Sequence, residues 1–249
     1  MAHGPGPDDD IMETNQAVAS NDLAELAARQ AGGLGAVHRG GRVMFASNMS
    51  EGLAIFPFRM PLGKGAKVAI DKTIAEFGNQ SIRVTHGKTV GDKTTLRRTM
   101  PGGYQTKLGY ELGIYNIVSN IRFYVSIAAI NGTTSHEYSV MVTTNGTITN
   151  VAYLDQNNIY TPIFSNLPPM LELGFHNFKL IANERDDVYD SLWINGERRN
   201  MAGLLPRAGT LISSVFPGFV FKFILEARAA ANNSVNLGSL ILTIDEPGE

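Results

Sequence analysis

The 249-residue sequence contains no cysteine, a single tryptophan and few charged residues. The absence of cysteine excludes disulfides, thiolate nucleophiles and cysteine-ligated metal sites. Charged residues make up 18% of the chain, against about 25% in typical soluble domains. The formal net charge is −2, so the chain as a whole has no strong field that would attract nucleic acid or an anionic membrane.

The sequence also has no long apolar run. Its most apolar stretch, residues 211–225, is interrupted by Pro217-Gly218 and carries Lys222. That is too short and too broken for a membrane-spanning helix, which needs about 20 apolar residues. Residues 1–10 lack the basic and apolar segments of a secretory signal. We therefore expect no membrane partner.

Motifs for catalysis, metals and cofactors are absent as well. Gly87-Lys88-Thr89 resembles the end of a phosphate-binding loop, but Ile82 stands where that motif requires glycine. The five histidines, His136 among them, are not at metal-ligand spacing. The acidic stretch 184–190 does not match a calcium-binding EF-hand and favours a solvated loop. From these absences we expect no catalytic residue, no metal, no cofactor and no enzymatic activity.

Three Asn-Gly dipeptides are the most informative feature that is present: Asn131-Gly132, Asn145-Gly146 and Asn195-Gly196. Each lies between runs of alternating apolar and polar residues. Asn-Gly suits the two-residue type I′ turn, which needs positive φ at both central positions. The dipeptides therefore predict β-hairpins.

Alternation with a period of two continues from about residue 43 to the end of the chain and is typical of antiparallel strands with one buried face. It predicts strands at 53–58, 121–129 and 138–143, among others. Segment 155–177 contains three prolines and predicts a long crossover loop. On residues 219–225, the side chains predicted to be buried between two sheets are Phe219, Phe221, Phe223 and Leu225. The predicted fold is an all-β, antiparallel β-sandwich of jelly-roll type with an N-terminal arm carrying one short helix.

The arm comprises residues 1–42 and precedes the predicted sandwich domain, residues 43–249. Asp22 can cap a helix that would carry Leu23 and Leu26 on one face. We expect this apolar stripe to contact another subunit. Residues 1–35 have a net charge of −5.

Residues 59–98 are the most basic segment, with a net charge of +6. The segment could contact an RNA backbone, whose binding depends on phosphate neutralisation, or the acidic arm of a neighbouring copy. It could equally be the polar side of several strands. The candidate subunit or nucleic-acid contacts are Arg59, Lys64, Lys67, Arg97 and Arg98.

The acidic arm, the glycine-rich hinge and the long run of antiparallel strands resemble a single jelly-roll capsid protein of small icosahedral viruses. That resemblance implies a self-assembling shell subunit whose partners are copies of itself or other capsid subunits, and a place in the virion after assembly in the host cytoplasm. It also implies that any contact with packaged RNA falls to residues 59–98 or to another chain. The alternative is a carbohydrate-binding β-sandwich, either a lectin or a receptor-binding fibre domain. Trp193 beside Asn195-Gly196 resembles galectins and laminin-G-like modules, although the galectin pattern His-x-Asn-x-Arg is absent.

Overall fold

Antiparallel strands account for most of the chain that the computed structural model describes, namely residues 42–76, 79–102, 106–115, 117, 121–145, 148–167 and 174–246. The predicted helical arm, with Leu23 and Leu26, lies outside these residues. The strands are β1 (Arg42–Ser47), β2 (Phe58–Pro61), β3 (Lys67–Asp71), β4 (Ser81–Thr85), β5 (Lys93–Pro101), β6 (Lys107–Tyr115), β7 (Ile121–Thr144), β8 (Thr149–Leu154), β9 (Tyr160–Leu167), β10 (Phe175–Asn183), β11 (Val188–Ile194), β12 (Glu197–Asn200), β13 (Arg207–Ala227) and β14 (Ser234–Ile244).

The strands form two sheets. The larger has the order β12-β11-β10-β6-β14-β4-β3, with β1 also paired to β14, and the smaller has the order β2-β5-β13-β7-β8-β9. Neighbours in sequence are often not neighbours in a sheet, as expected of a jelly roll. The predicted all-β antiparallel sandwich is confirmed. No helix in the described part of the chain is long and apolar enough to cross a membrane.

Strand β7 folds back on itself. Ser126 Oγ lies 2.6 Å from Ser139 Oγ, whereas thirteen residues of straight strand would separate them by about 43 Å. Residues 121–132 of β7 pair with residues 215–227 of β13, and residues 134–137 pair with residues 207–210 at the start of β13. Residues 140–144 of β7 pair with β8. The reversal falls at Asn131-Gly132, where the sequence predicts a hairpin.

The Asn-Gly turns differ in detail. Asn195 and Gly196 both have positive φ, 52° and 83°, and connect paired residues of β11 and β12, which is the predicted type I′ geometry. At Asn131-Gly132 only the glycine has positive φ, so this turn is not type I′. Asn145 closes the β7–β8 turn by accepting a hydrogen bond from the Ile148 amide; Gly146 lies outside the described residues.

The core is built from the inner faces of both sheets. The four side chains predicted to be buried, Phe219, Phe221, Phe223 and Leu225, are all fully buried. Across the sandwich, Phe221 meets Tyr110 edge-on with ring centroids 5.5 Å apart. The alternation along β13 therefore gives the correct register.

Two segment predictions are wrong. Segment 155–177 contains strand β9, at the outer edge of the smaller sheet. Pro162 is tolerated there because an edge strand leaves one row of N–H groups unpaired. Residues 53–58 do not form a strand; instead a 3-10 helix occupies Gly52–Ile55 and β2 begins at Phe58. Gly52 has a positive φ of 63° and interrupts the extended backbone.

Candidate functional site

A row of polar and aromatic side chains crosses the outer face of the smaller sheet. Strand pairing places Phe58 beside Arg97, Arg97 beside Lys222, and Lys222 beside Ser126. Side chains directly opposite each other on paired strands point to the same face. The row crosses seven strand positions, because β7 contributes both of its halves and β8 lies between β7 and β9. At a spacing of 4.7–4.9 Å between neighbouring strands, its length is about 29 Å. We call it the outer row; its members are Phe58, Arg97, Lys222, Ser126, Ser139 and Tyr160.

Hydroxyl groups form the middle of the outer row. Ser126 Oγ and Ser139 Oγ are 2.6 Å apart, and Ser139 Oγ lies 2.9 Å from the Tyr160 hydroxyl. The Tyr160 ring packs against Tyr124, with centroids 5.3 Å apart. Burial raises the pKa of Tyr160 to about 12, so its phenol stays protonated at neutral pH. The chain of hydroxyls can therefore both donate and accept hydrogen bonds.

Two carboxylates on the same face are each held between two cations. Glu226 lies 2.9 Å from Arg122 and 3.3 Å from Lys93, and it accepts a hydrogen bond from the Tyr124 hydroxyl. We call this group the Glu226 cluster.

The second group, the Glu137 cluster, lies on the other side of the outer row. Glu137 Oε1 is 2.9 Å from Lys222 Nζ, and its Oε2 is 2.6 Å from Arg207. Together with Arg97, the two clusters contain five cations and two carboxylates, a net charge of +3 on one face of a chain whose overall charge is −2.

The outer face of the larger sheet is covered by its own side chains. Lys179 and Glu246, both buried, form an ion pair of 2.7 Å there. The Glu76 carboxylate lies over the glycines of β6 and β14, so closely that a Cβ at Gly113 would fall 1.9 Å from it. On the smaller sheet, by contrast, Phe58 and Arg97 are exposed at one end of the outer row, whereas Ser126 and Ser139 in its middle are buried. The exposed part of the outer row is thus the end that carries Phe58 and Arg97.

The cations predicted as contacts from the sequence do not share one surface. Of the five, only Arg97 belongs to the outer row, where its guanidinium lies 4.7 Å from the Phe58 ring. Arg98 points to the inner side, where it donates a hydrogen bond of 2.8 Å to the Ile55 carbonyl, and burial lowers its pKa.

Arg59, Lys64 and Lys67 lie elsewhere. Arg59 donates to the carbonyls of Leu53 and Phe56, so Arg59 and Arg98 both hold the 3-10 helix. Lys64 and Lys67 are exposed, in the β2–β3 turn and on the larger sheet. Their role as subunit or RNA contacts stays a prediction.

A cavity of about 300 Å³ lies at the end of the sandwich, beside the turn of β7. His136 Nδ1 lies 2.6 Å from Asp187 Oδ1. Burial, together with the negative charge of Asp187, raises the pKa of Glu184 to about 7. We call it the tip cavity; its lining residues are Ala129, Asn131, Thr134, Ser135, His136, Glu184, Arg185 and Asp187.

His136 and the acidic loop 184–190 are far apart in the sequence, and the structure brings them together. The two segments are 48 or more residues apart, and no local pattern signals their contact. In the described residues no group of three or more histidine or acidic side chains is arranged to hold a metal ion.

Neither the protein-family models nor the curated proteins give a significant match to this sequence. Solved structures do match. The fold is similar to that of endo-β-1,4-glucuronan lyase from the fungus Trichoderma reesei, with a TM-score of 0.57 at 9% identity over 81% of this chain and 95% of that one. It is also similar to the carbohydrate esterase of Shiga toxin-encoding bacteriophage phi24B, with a TM-score of 0.51 at 13% identity over 83% and 100% of the chains.

A third similar structure is a protein of unknown function with a galectin-like fold from Bacillus subtilis, with a TM-score of 0.50 at 10% identity over 82% and 97% of the chains. At these identities the similarity establishes the fold alone. This chain is a jelly-roll β-sandwich of the galectin-like kind.

These comparisons correct one prediction. The sequence predicts no enzymatic activity, but the similar structures include two that are described as enzymes, a lyase and a carbohydrate esterase. The prediction rested on missing sequence motifs, which cannot reveal side chains that come together only in the fold, as His136 and Asp187 do.

Proposed function

We propose that this protein binds carbohydrate on the outer face of the smaller sheet. The observation that carries the proposal is the outer row, about 29 Å of aromatic, hydroxyl and charged side chains on a fold similar to that of carbohydrate-acting proteins. This function is the alternative that the sequence leaves open, and the comparisons support it better than a capsid shell.

The chemistry of the outer row suits a sugar chain. Sugars present hydroxyl groups that donate and accept hydrogen bonds, and the half-buried Tyr160 hydroxyl, which is backed by the buried hydroxyls of Ser139 and Ser126, can do both. Sugars also present apolar C–H faces, for which the exposed ring of Phe58 offers a packing surface. Aromatic surfaces with a few placed polar groups are typical of small-molecule sites.

A glycan array with matched variants tests the proposal. Thr95 lies between Met60 and Ile224 on the same outer face, so Thr95→Trp places bulk on that face without altering the core. We expect wild type to bind a set of glycans, Thr95→Trp to lose them, and Tyr160→Phe to bind more weakly. The control Ile70→Ser changes an exposed side chain on the larger sheet and should bind as wild type. Absence of any glycan signal, or equal binding by Thr95→Trp, contradicts the proposal.

The tip cavity supports a second candidate function, acid–base catalysis on a bound glycan. A carboxylate that holds one imidazole nitrogen orients the other for proton transfer, and Asp187 is placed to do this for His136. Glu184, with its raised pKa, supplies a carboxylic acid in the same cavity, and such acid–base pairs are a recurrent catalytic arrangement.

Product analysis tests this second function. Glycans selected on the array are incubated with the protein, and new chain ends or released acids are measured. Wild type should form product, whereas His136→Gln and Glu184→Gln should bind the same glycans without forming it. If wild type forms no product from any bound glycan, catalysis is excluded and binding remains.

A further inference from the structure

We infer that the outer face of the smaller sheet selects anionic polysaccharides, whose carboxylate or sulfate groups pair with its excess cations. This inference rests on the proposed function and names its ligand class. Three positive charges remain on the face after pairing: one from the Glu226 cluster, one from the Glu137 cluster, and Arg97.

Each carboxylate on the face holds two cations rather than neutralising the site. Glu226 is paired with Arg122 and Lys93, and Glu137 with Lys222 and Arg207. A carboxylate between two cations fixes both side chains and still leaves one positive charge in excess. The cations are therefore positioned before a ligand arrives, which reduces the entropy lost on binding.

Arg97 has no carboxylate partner among the described residues; its guanidinium lies over the Phe58 ring and is exposed. It is paired in register with Lys222, so two cations lie side by side across the strands. Guanidinium groups match the geometry of carboxylate and sulfate oxygens through parallel hydrogen bonds. An anionic group is the partner that would offset the repulsion between Arg97 and Lys222.

The cations also recur along the strands. Lys93 and Arg97 are four residues apart on β5, a separation of about 13 Å. On β13, Lys222 and Glu226 are also four residues apart. Glu226 is paired with Arg122, so a cation recurs at this separation as well. A polymer with charges at regular intervals can contact several of these cations at once, so that individually weak surface pairs add together.

The same face suits nucleic acid less well. Single-stranded nucleic acids bind to open aromatic platforms on which bases stack. Tyr124 is buried against Tyr160, with the rings tilted at 59°, so the exposed aromatic surface is the single ring of Phe58, over which the Arg97 guanidinium lies. One ring is not a platform for successive bases. Polysaccharides need no stacked base and can be held by the exposed cations of the face.

Titration of the full-length protein with four polymers tests the inference: polyglucuronate, dextran sulfate, neutral cello-oligosaccharides and poly(U). We expect the two anionic glycans to bind at least about tenfold more tightly than the neutral one at low salt, with the difference shrinking as salt screens the exposed charges. Comparison of the affinities for polyglucuronate and dextran sulfate shows whether the face prefers carboxylate or sulfate groups.

Matched variants locate the effect. Arg97→Gln and Lys222→Gln each remove one cation of the face and should weaken binding of the anionic glycans by about three- to tenfold. Lys64→Gln and Lys67→Gln remove the same charge from exposed positions off the face and should leave binding unchanged.

The outcomes separate this inference from the function on which it rests. Equal binding of neutral and anionic glycans, lost in Thr95→Trp, overturns the inference and keeps the proposed function. Absence of binding to all glycans overturns the proposed function. Tightest binding to poly(U), weakened in Arg97→Gln, overturns both in favour of a nucleic-acid surface.

Discussion

Adjacent side chains on β13 point to opposite faces of the smaller sheet. Phe221 and Phe223 are fully buried in the core, while Lys222 between them belongs to the outer row. One face of the strand stabilises the sandwich, and the other carries the candidate site. Substitutions one position apart should therefore have separable effects on stability and on binding.

Truncation of Phe221 to alanine should lower the free energy of unfolding by about 3–5 kcal/mol, because it removes a fully buried ring and leaves a cavity. The same truncation at Phe58, which is 42% exposed, should cost much less. Urea denaturation measures both. Equal unfolding midpoints would show that the register of β13 is wrong by one residue.

Glu76 predicts a dependence of stability on pH. Burial raises the pKa of Glu76 to about 7, with the Ser239 hydroxyl opposing the shift and Glu111 adding to it. Between the ordinary value near 4.5 and 7 the folded protein holds a proton that the unfolded chain has released. The free energy of unfolding therefore falls as pH rises through this window.

Glu76→Gln should flatten that slope, as measured by thermal unfolding between about pH 4.5 and pH 7. Glu184 has a pKa raised to the same value and adds a slope of the same sign. The double variant Glu76→Gln/Glu184→Gln should therefore show a still smaller dependence of stability on pH. The control is Asp71→Asn. A hydrogen bond from the Thr73 side chain is the main cause that lowers the pKa of Asp71 to about 2, which restricts its effect to more acidic pH. A slope unchanged in Glu76→Gln would mean that this carboxyl is not buried as described.

The turn of β7 joins the core, the outer row and the tip cavity. Gly132 has a φ of 63°, and a Cβ added there would meet no atom within 4 Å. Gly132→Ala should cost about 1 kcal/mol from backbone strain alone, and Gly132→Asn less, because asparagine tolerates positive φ. Denaturation curves of the three proteins measure this order, and equal midpoints would contradict the described turn.

Elements with a regular pattern could be predicted from the sequence, and irregular ones could not. Alternation gives the inner and outer faces of β7 and β13 correctly. It fails for β9, where Pro162 signals a loop although an edge strand accepts it. It also fails at 53–58, because apolar spacing cannot show that the backbone turns at Gly52.

At the scale of the whole molecule, the candidate site is made by pairing between distant strands. Phe58, Ser126 and Lys222 come from three parts of the sequence and become neighbours only through the order β2-β5-β13-β7. Local patterns predict that each residue faces outward but not which residues share a row. The same holds for His136 and Asp187, which meet across the end of the sandwich.

Assembly of this chain into a capsid shell stays a prediction. It requires closed particles of tens of nanometres, whose assembly should depend on residues 1–35. Light scattering of the full chain and of a chain lacking residues 1–35 tests it. Large particles that are lost on truncation would support a shell subunit, whereas small, unchanged species would exclude one.

Amide chemical-shift mapping by NMR shows directly whether the outer face of the smaller sheet binds carbohydrate. The strongest ligand from the glycan array is titrated into the isotope-labelled full-length protein. We expect the shifted amides to cluster on β5, β7, β9 and β13 around the outer row. Shifts confined to the larger sheet, or no shifts with any glycan, would contradict carbohydrate binding by this face.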